Sequence, residues 1–193
     1  FGAEDVVLVD MVHRINPAVP LFYLDTDFSF SETYATRDRL IERYQLKPAH
    51  VIQVKSLLTP QQQAESHGEA LWASHPDQCC QLRKVEPLTR VLKGYDAWIT
   101  GIRRDQAPSR ANAGLIEWDE KFTLIKVNPL ARWTWADVWS YIKVHEVPYN
   151  PLHDHNYPSI GCTYCTAPVA SGDDPRAGRW KNFAKTECGL HKA

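Results

Sequence analysis

Four short apolar runs, PLFYLDTD, HVIQVK, DAWITG and FTLIKVNPL, recur along the chain with helix-like stretches between most of them. A strand that is apolar along both of its faces must be buried on both, which is the condition of a parallel sheet covered by helices. The pattern therefore predicts an α/β fold, a mainly parallel sheet flanked by helices, with its ligand site beyond the carboxyl ends of the strands. Helices are expected over residues 4–15, 31–44 and 135–146, the last capped by Thr134, and a weaker one over 60–73. A further helix is expected in QLRKVEPLTRVLKGY, bent by Pro87 and ended by Gly94. The stretch IRRDQAPSRANAGLIEW reads as loop, and from Val147 onward Pro, Asn, Gly and Asp predict loops and short turns. The 193 residues divide into an α/β nucleotide-binding unit over 1–150 and a C-terminal loop segment over 151–193.

The net charge of −1 gives no global attraction to nucleic acid or membrane, so an anionic ligand must be met by local clusters. Such clusters are Arg83-Lys84, Arg103-Arg104-Arg110 and Arg176-Arg179-Lys181. No apolar run approaches the ~20 residues of a membrane span. Five cysteines, an odd and small number, argue against a disulfide scaffold and for a reducing compartment, the cytoplasm. The chain enters a helical pattern almost at Phe1, without an initiator Met or a preceding strand, so part of an N-terminal strand is expected to be truncated.

LDTDFSFSET sets an acid, Asp25, and several hydroxyls at a helix start, which suits an anion or nucleotide as well as it suits simple capping. GIRRDQAPSR brings three arginines directly after a buried strand, where bidentate recognition of sulfate, phosphate or carboxylate is chemically apt. The adjacent Cys79 and Cys80, with the Cys162-x-x-Cys165 pair, offer four thiolates from two distant segments. Neighbouring side chains diverge, so one zinc ion would be strained, a vicinal disulfide more so, and a [4Fe–4S] cluster with separate corners is the favoured of the three. Cys188, in KTECGLH, has no partner left; the basic neighbours Lys185, His191 and Lys192 can favour its thiolate, the nucleophilic form.

Together FGAED, LDTDFSFSETY, CCQLRKVEPL, GIRRDQ, CTYC and ECGLH resemble, in order and from end to end, the adenylyl-sulfate/phosphoadenylyl-sulfate reductase family. The doubled cysteines and the C-x-x-C are similar to those of its cluster-bearing assimilatory branch. The resemblance implies an adenine nucleotide α-hydrolase-like sheet of the PP-loop type, with Phe1 and Gly2 in the remnant of the pyrophosphate loop. It implies that Leu24, Asp25 and Thr26 lie by the adenosine and that Arg83, Arg103, Arg104, Arg176 and Arg179 serve substrate. It further implies one [4Fe–4S] cluster per chain on Cys79, Cys80, Cys162 and Cys165, with Lys84 between cluster and substrate. Cys188 is then the nucleophile, with His191 beside it, in a thioredoxin-dependent reduction of adenylyl sulfate to sulfite and AMP through an S-sulfocysteine.

The donor implied is thioredoxin or a glutaredoxin-like thiol, and a homo-oligomer stays open. A 3′-phosphoadenylyl-sulfate or dual-substrate enzyme and a non-catalytic nucleotide-binding redox sensor are the alternatives; a tRNA-modifying PP-loop enzyme is disfavoured by the near-neutral charge. Asp27 stands where Gly is common in the family and Ser31 where Pro is frequent. Asp tolerates the left-handed backbone better than most residues, so the turn at Asp27 is expected to survive.

Overall fold

The computed structural model describes residues 1–181 and 183–191. Helix α1, Ala3–Ile15, starts at Gly2, whose N–H donates to Asp5 Oδ2 at 2.8 Å, and it buries Ala3, Val6, Val7, Leu8 and Val9. Strand β1, Leu21–Asp25, follows, then helix α2, Ser31–Tyr44, and strand β2, Val51–Lys55, which pairs with β1 in parallel, Leu21 opposite Val51. Thr59 and Gln62 exchange cap bonds of 3.1 and 2.9 Å to start helix α3, Pro60–His67, and a short helix α4, Leu71–Ser74, completes the weakly helical region.

Helix α5, Pro76–Cys80, runs straight into a π-helical turn at Gln81–Val85 and then into helix α6, Glu86–Leu92. The expected bend at Pro87 takes this form. Proline has no N–H to give and its ring crowds the carbonyl four residues back, and a widened turn before it removes both conflicts. The widening also leaves Arg83, Lys84 and Val85 all buried in succession, which a regular amphipathic helix would not do.

Strands β3, Ala97–Ile99, β4, Ile116–Asp119, and β5, Leu124–Val127, form a second sheet in the order β3-β5-β4. β3 runs parallel to β5 and β4 antiparallel to it. Among the described residues, two of the three strand pairings are thus parallel, as expected, but the strands sit in two sheets rather than one. β4 corrects the reading of 102–118 as loop. Its Ile116 and Trp118 face outward while Glu117 turns in, accepting from Lys126 Nζ at 3.1 Å, Asn128 Nδ2 at 3.1 Å and the Gly114 N–H at 2.9 Å. An inverted polarity of this kind carries no core-facing alternation to read.

Helix α7, Trp135–Val144, is capped by Thr134 and packs Val138 and Ile142 with α1, Leu40, Leu130 and Val147 in the larger core. Each such side chain contributes about 1.5–3 kcal/mol when fully buried. The smaller core gathers Leu88 and Leu92 of α6, Trp98 of β3 and Leu124 of β5, with Leu190 of the tail packed against it. A buried carboxylate, Asp10, ties α1 to α2 and α7, accepting from Tyr44 at 2.8 Å, Tyr141 at 2.6 Å and Arg14 at 2.7 Å. Beyond α7 the chain is held by turns and two bridges, Ser29 with Cys162 and Thr166 with Arg179. Among the described residues, no helix is long and apolar enough to cross a membrane.

Candidate active site

A cavity of about 860 Å³ lies between the two sheets, bordered by β1 on one side and β3 on the other. At the end of β1, Asp25 is buried and fully engaged, accepting from Tyr34 Oη at 2.7 Å, Gln53 Nε2 at 2.5 Å and the Asp27 N–H at 2.9 Å. Burial pushes its carboxyl up, but these donors and Lys55 outweigh that and hold it below the usual range. Burial, and after it the same contact with Asp25, drives the Tyr34 phenol up to about 12. Asp27 takes the left-handed conformation at φ 59°, as expected for a residue in a glycine's place. From there its carboxylate reaches Lys55 Nζ at 2.6 Å and Arg83 Nη1 at 2.8 Å.

Phe1, Gly2, Leu24, Asp25 and Thr26 all line the cavity. Arg83 and Arg104, expected to serve substrate, do not. Arg83 is buried behind the wall, donating to Gln63 at 2.7 Å and to Asp27, with its guanidinium 4.8 Å from the Phe28 ring centre. Arg104 is exposed and donates to the Ala113 carbonyl at 2.9 Å. Arg103 does line the cavity, lying 5.3 Å from the Trp135 ring centre, but its charge is already met by Glu4 at 2.9 Å and by Asp105. Arg110, Arg176 and Arg179 complete the basic wall. Gly161 makes room for Arg179, since a Cβ there would fall 2.3 Å from Arg179 Nη2. Burial pulls Arg176 down from the usual guanidinium range; Glu187 opposes this, while Arg110 and Arg179 reinforce it.

Cys79 and Cys80 are buried at the end of α5, while Cys162 precedes and Cys165 ends a single 3-10 turn, Thr163–Cys165. The Thr163 N–H bond to the Phe28 carbonyl, 2.8 Å, and the 3.3 Å contact of Cys162 Sγ with Thr26 Oγ1 tie that turn to the end of β1. All five cysteines are free thiols. Burial drives Cys79 up to about 12, with Cys80, Cys162 and Cys165 adding to it; burial and Cys162 are the leading causes that take Cys165 up to about 11. Burial also raises Cys80, against Lys84 and Lys185. Burial and neighbouring thiols thus favour the neutral form of Cys79, Cys80 and the half-buried Cys165. Among the described residues no three His, Cys, Asp or Glu groups converge on a single metal ion. A stacked pair, Trp72 and Tyr164 at 3.9 Å, with Phe28 edge-on to both, packs beside the turn.

Lys84 lines the cavity yet is buried. Burial works to discharge it, but Cys162 and Cys188 lead the groups that more than offset this, and its pKa lies above the ordinary lysine value. Cys188 and His191 also line the cavity, so the tail folds over it. Gly189 makes that turn at φ 85°, a conformation a side chain would strain. His191 stacks on Trp98 at 5.7 Å, and its buried Nδ1 has no hydrogen-bond partner among the described residues. Burial and then the cations Arg110, Lys126, Arg176 and Lys121 push it well below its ordinary value. A neutral imidazole adds no positive charge to the thiol, contrary to the expectation for His191. Lys185 pairs with Asp77, and Lys192 lies outside the described residues.

Glu4, Trp135 and Glu187, outside the residues read as substrate-binding, also line the cavity, and Arg110 joins them from the basic loop after β3. Glu187 is marked in the sequence only by its place beside Cys188, whereas Arg110 belongs to the loop whose three arginines suit an anion. The chemical content of the site is a thiol, a buried ammonium and a wall of guanidiniums around a space fit for a nucleotide-sized anion.

Residues 1–168 match the family of the phosphoadenosine phosphosulfate reductase domain. The adenosine 5′-phosphosulfate reductase of Halalkalibacterium halodurans is 52% identical over 194 residues, covering 99% of this chain and 82% of that one. The adenosine 5′-phosphosulfate reductase 1 of Bacillus subtilis is 50% identical over 192 residues, covering 100% and 82%. Among solved structures, a phosphoadenylyl-sulfate reductase from Candida auris in complex with phosphate superposes with a TM-score of 0.75 at 36% identity, covering 86% and 80%. The FMN adenylyltransferase of Candida glabrata shares the fold at TM-score 0.60 and 18% identity, covering 90% of this chain and 58% of that one.

Proposed function

The chain belongs to the phosphoadenosine phosphosulfate reductase family, and from that membership we propose that it reduces adenylyl sulfate to sulfite and AMP in sulfate assimilation. The observation that carries the reading is Cys188 on the wall of the inter-sheet cavity, together with the buried ammonium of Lys84 and the guanidiniums of Arg176 and Arg179. Relatives named for the substrate without a 3′-phosphate stand at about half identity over nearly the whole chain, which favours adenylyl sulfate over its 3′-phosphorylated form.

The Cys188 thiolate attacks the sulfate sulfur, the S–O bond to the phosphate breaks, and AMP leaves with the electron pair. Charge building on the leaving phosphate needs fixed cations in a water-poor site, the role given to Lys84, Arg176 and Arg179. The adduct is an S-sulfocysteine. A dithiol donor, thioredoxin or a glutaredoxin-like protein, then attacks Cys188 Sγ and expels sulfite; its second thiol resolves the mixed disulfide, so the donor loses two electrons and sulfur gains two. His191, neutral beside Trp98, acts here by packing.

A [4Fe–4S] cluster would be held by Cys79, Cys80, Cys162 and Cys165. The fit rests on the chemistry of the donors: four free thiols come from two segments, and burial with neighbouring thiols holds Cys79, Cys80 and Cys165 above the ordinary thiol range, an opposition that bound iron would relieve by taking the sulfurs as thiolates. When bound, the cluster supplies a fixed charge beside Lys84 and braces the turn. Oxygen-labile iron and a dithiol donor both suit a reducing cytoplasm.

The test is the initial rate of sulfite release from adenylyl sulfate and from its 3′-phosphorylated form, with thioredoxin supplied, beside an iron and sulfide assay on anaerobically purified protein. A brown protein that releases sulfite faster from adenylyl sulfate is expected. A colourless protein, or one that forms no adduct at Cys188 with either nucleotide, overturns the corresponding part.

A further inference from the structure

The residue before the nucleophile is a carboxylate, placed where an anion-binding site would least want one. Glu187 is 4% exposed and lines the cavity. Its oxygens receive two bonds from one guanidinium, Arg110 Nε to Oε1 and Nη2 to Oε2, both 2.8 Å. Ser109 Oγ adds a bond of 3.1 Å and Arg176 Nη2 one of 3.3 Å, the latter also reaching the Thr186 carbonyl at 2.6 Å. The fork-to-fork geometry is the most orientation-specific pairing available to a carboxylate.

These contacts join three separate segments: the turn at Pro108–Arg110, the loop around Arg176, and the tail. The other tail anchors differ in kind. Leu190 packs on the smaller core and the Gly189 carbonyl accepts from Lys121, both beyond Cys188; Lys185 pairs with the exposed Asp77 before it. Glu187 is one peptide from the nucleophile, so the direction of its carboxylate fixes where the Cys188 Cα stands. Two guanidiniums facing one carboxylate also leave a surplus positive charge for an arriving anion.

We propose that Glu187 is the positioning residue that seats Cys188. Gripped by Arg110 and Arg176, it holds the tail closed for sulfur transfer, and it lets go when a second protein must reach the thiol. The proposal rests on the reading of Cys188 as the sulfur-accepting thiol.

The experiment compares Glu187→Gln, Glu187→Asp and Arg110→Gln with the parent holoenzyme. In the absence of nucleotide, the rate of Cys188 alkylation by iodoacetamide is followed by mass spectrometry. In single turnovers, S-sulfonation by adenylyl sulfate and sulfite release from the preformed adduct by a dithiol protein are timed separately. Loss of a charged, bidentate bond should raise Cys188 alkylation and slow S-sulfonation by roughly ten- to a hundred-fold each. Sulfite release should hold or quicken, and Glu187→Asp should recover part of the first two. Arg110→Gln reads the same contact from the protein body should Glu187→Gln fold poorly. Parental alkylation rates in both neutral variants, or both half-reactions slowed by one factor, overturn the proposal. A parent protein that forms no adduct defeats the functional reading instead, while the alkylation result still judges the latch.

Discussion

Arg83 Nη1 donates to Asp27 Oδ2 at 2.8 Å, joining a fully buried guanidinium on the π-helical turn to a left-handed residue at the end of β1. The bond braces the two segments that carry Lys84 and Thr26. It also assigns Asp27 a task that a glycine could not perform.

That pairing predicts an order of stabilities. Asp27→Gly relieves a left-handed strain of about 1 kcal/mol but leaves Arg83 short of a charged acceptor worth roughly 1.5–3 kcal/mol. The balance is a loss of about 1 kcal/mol. Asp27→Ala loses the acceptor and keeps the strain, so it should fall by about 2–3 kcal/mol. Urea denaturation of the two variants checks the order, and a more stable Asp27→Gly would remove the bond from any stabilising role.

Replacing Lys84 with Met keeps the stem and deletes the buried ammonium. S-sulfonation of Cys188 should slow by roughly a hundred- to a thousand-fold, the scale of losing one charged stabiliser of a leaving group. Iron content should hold. A single-turnover measurement with labelled adenylyl sulfate reads the first, and an unchanged rate would take Lys84 out of the chemistry.

Cys162 and Cys188 should separate cleanly. Cys162→Ala is expected to lose iron and the visible absorption with it, whereas Cys188→Ser keeps both and releases no sulfite. Full iron in Cys162→Ala would strike it from the ligand set, and sulfite from Cys188→Ser would end its role as nucleophile.

Asp10 makes a pH prediction. Burial raises its carboxyl, but bonds from Tyr141, Arg14 and Tyr44 prevail and depress it below the usual carboxylate range. A depressed folded value means the contribution is whole above the unfolded pKa of about 3.9 and drains away as pH falls through the folded value. Asp10→Asn should therefore cost about 1.5–3 kcal/mol near neutrality. The gap from the parent should shrink well below about pH 3, as both proteins lose the ionised carboxylate. Denaturation at the two pH values decides; a gap that does not narrow means that the charge is not what holds the three helices.

The alternation of strands and helices, the residues at most strand ends, and the grouping of cysteines into pairs and a lone thiol are all written in the order of the residues. These are local matters of periodicity and spacing, and the left-handed turn at Asp27 was legible for the same reason: the conformational preference belongs to one residue. Tertiary structure decided which charges are free. Arg83 and Arg103 look alike in the sequence, yet one is committed to Asp27 and Gln63 behind the cavity wall and the other to Glu4, 99 residues away along the chain. Long-range pairing also turned Glu187 toward Arg110, held His191 neutral among distant cations, and let β4 form with its apolar side outward. A side chain's charge can be read from its name, but whether that charge is spent depends on neighbours that only folding brings within a few ångströms.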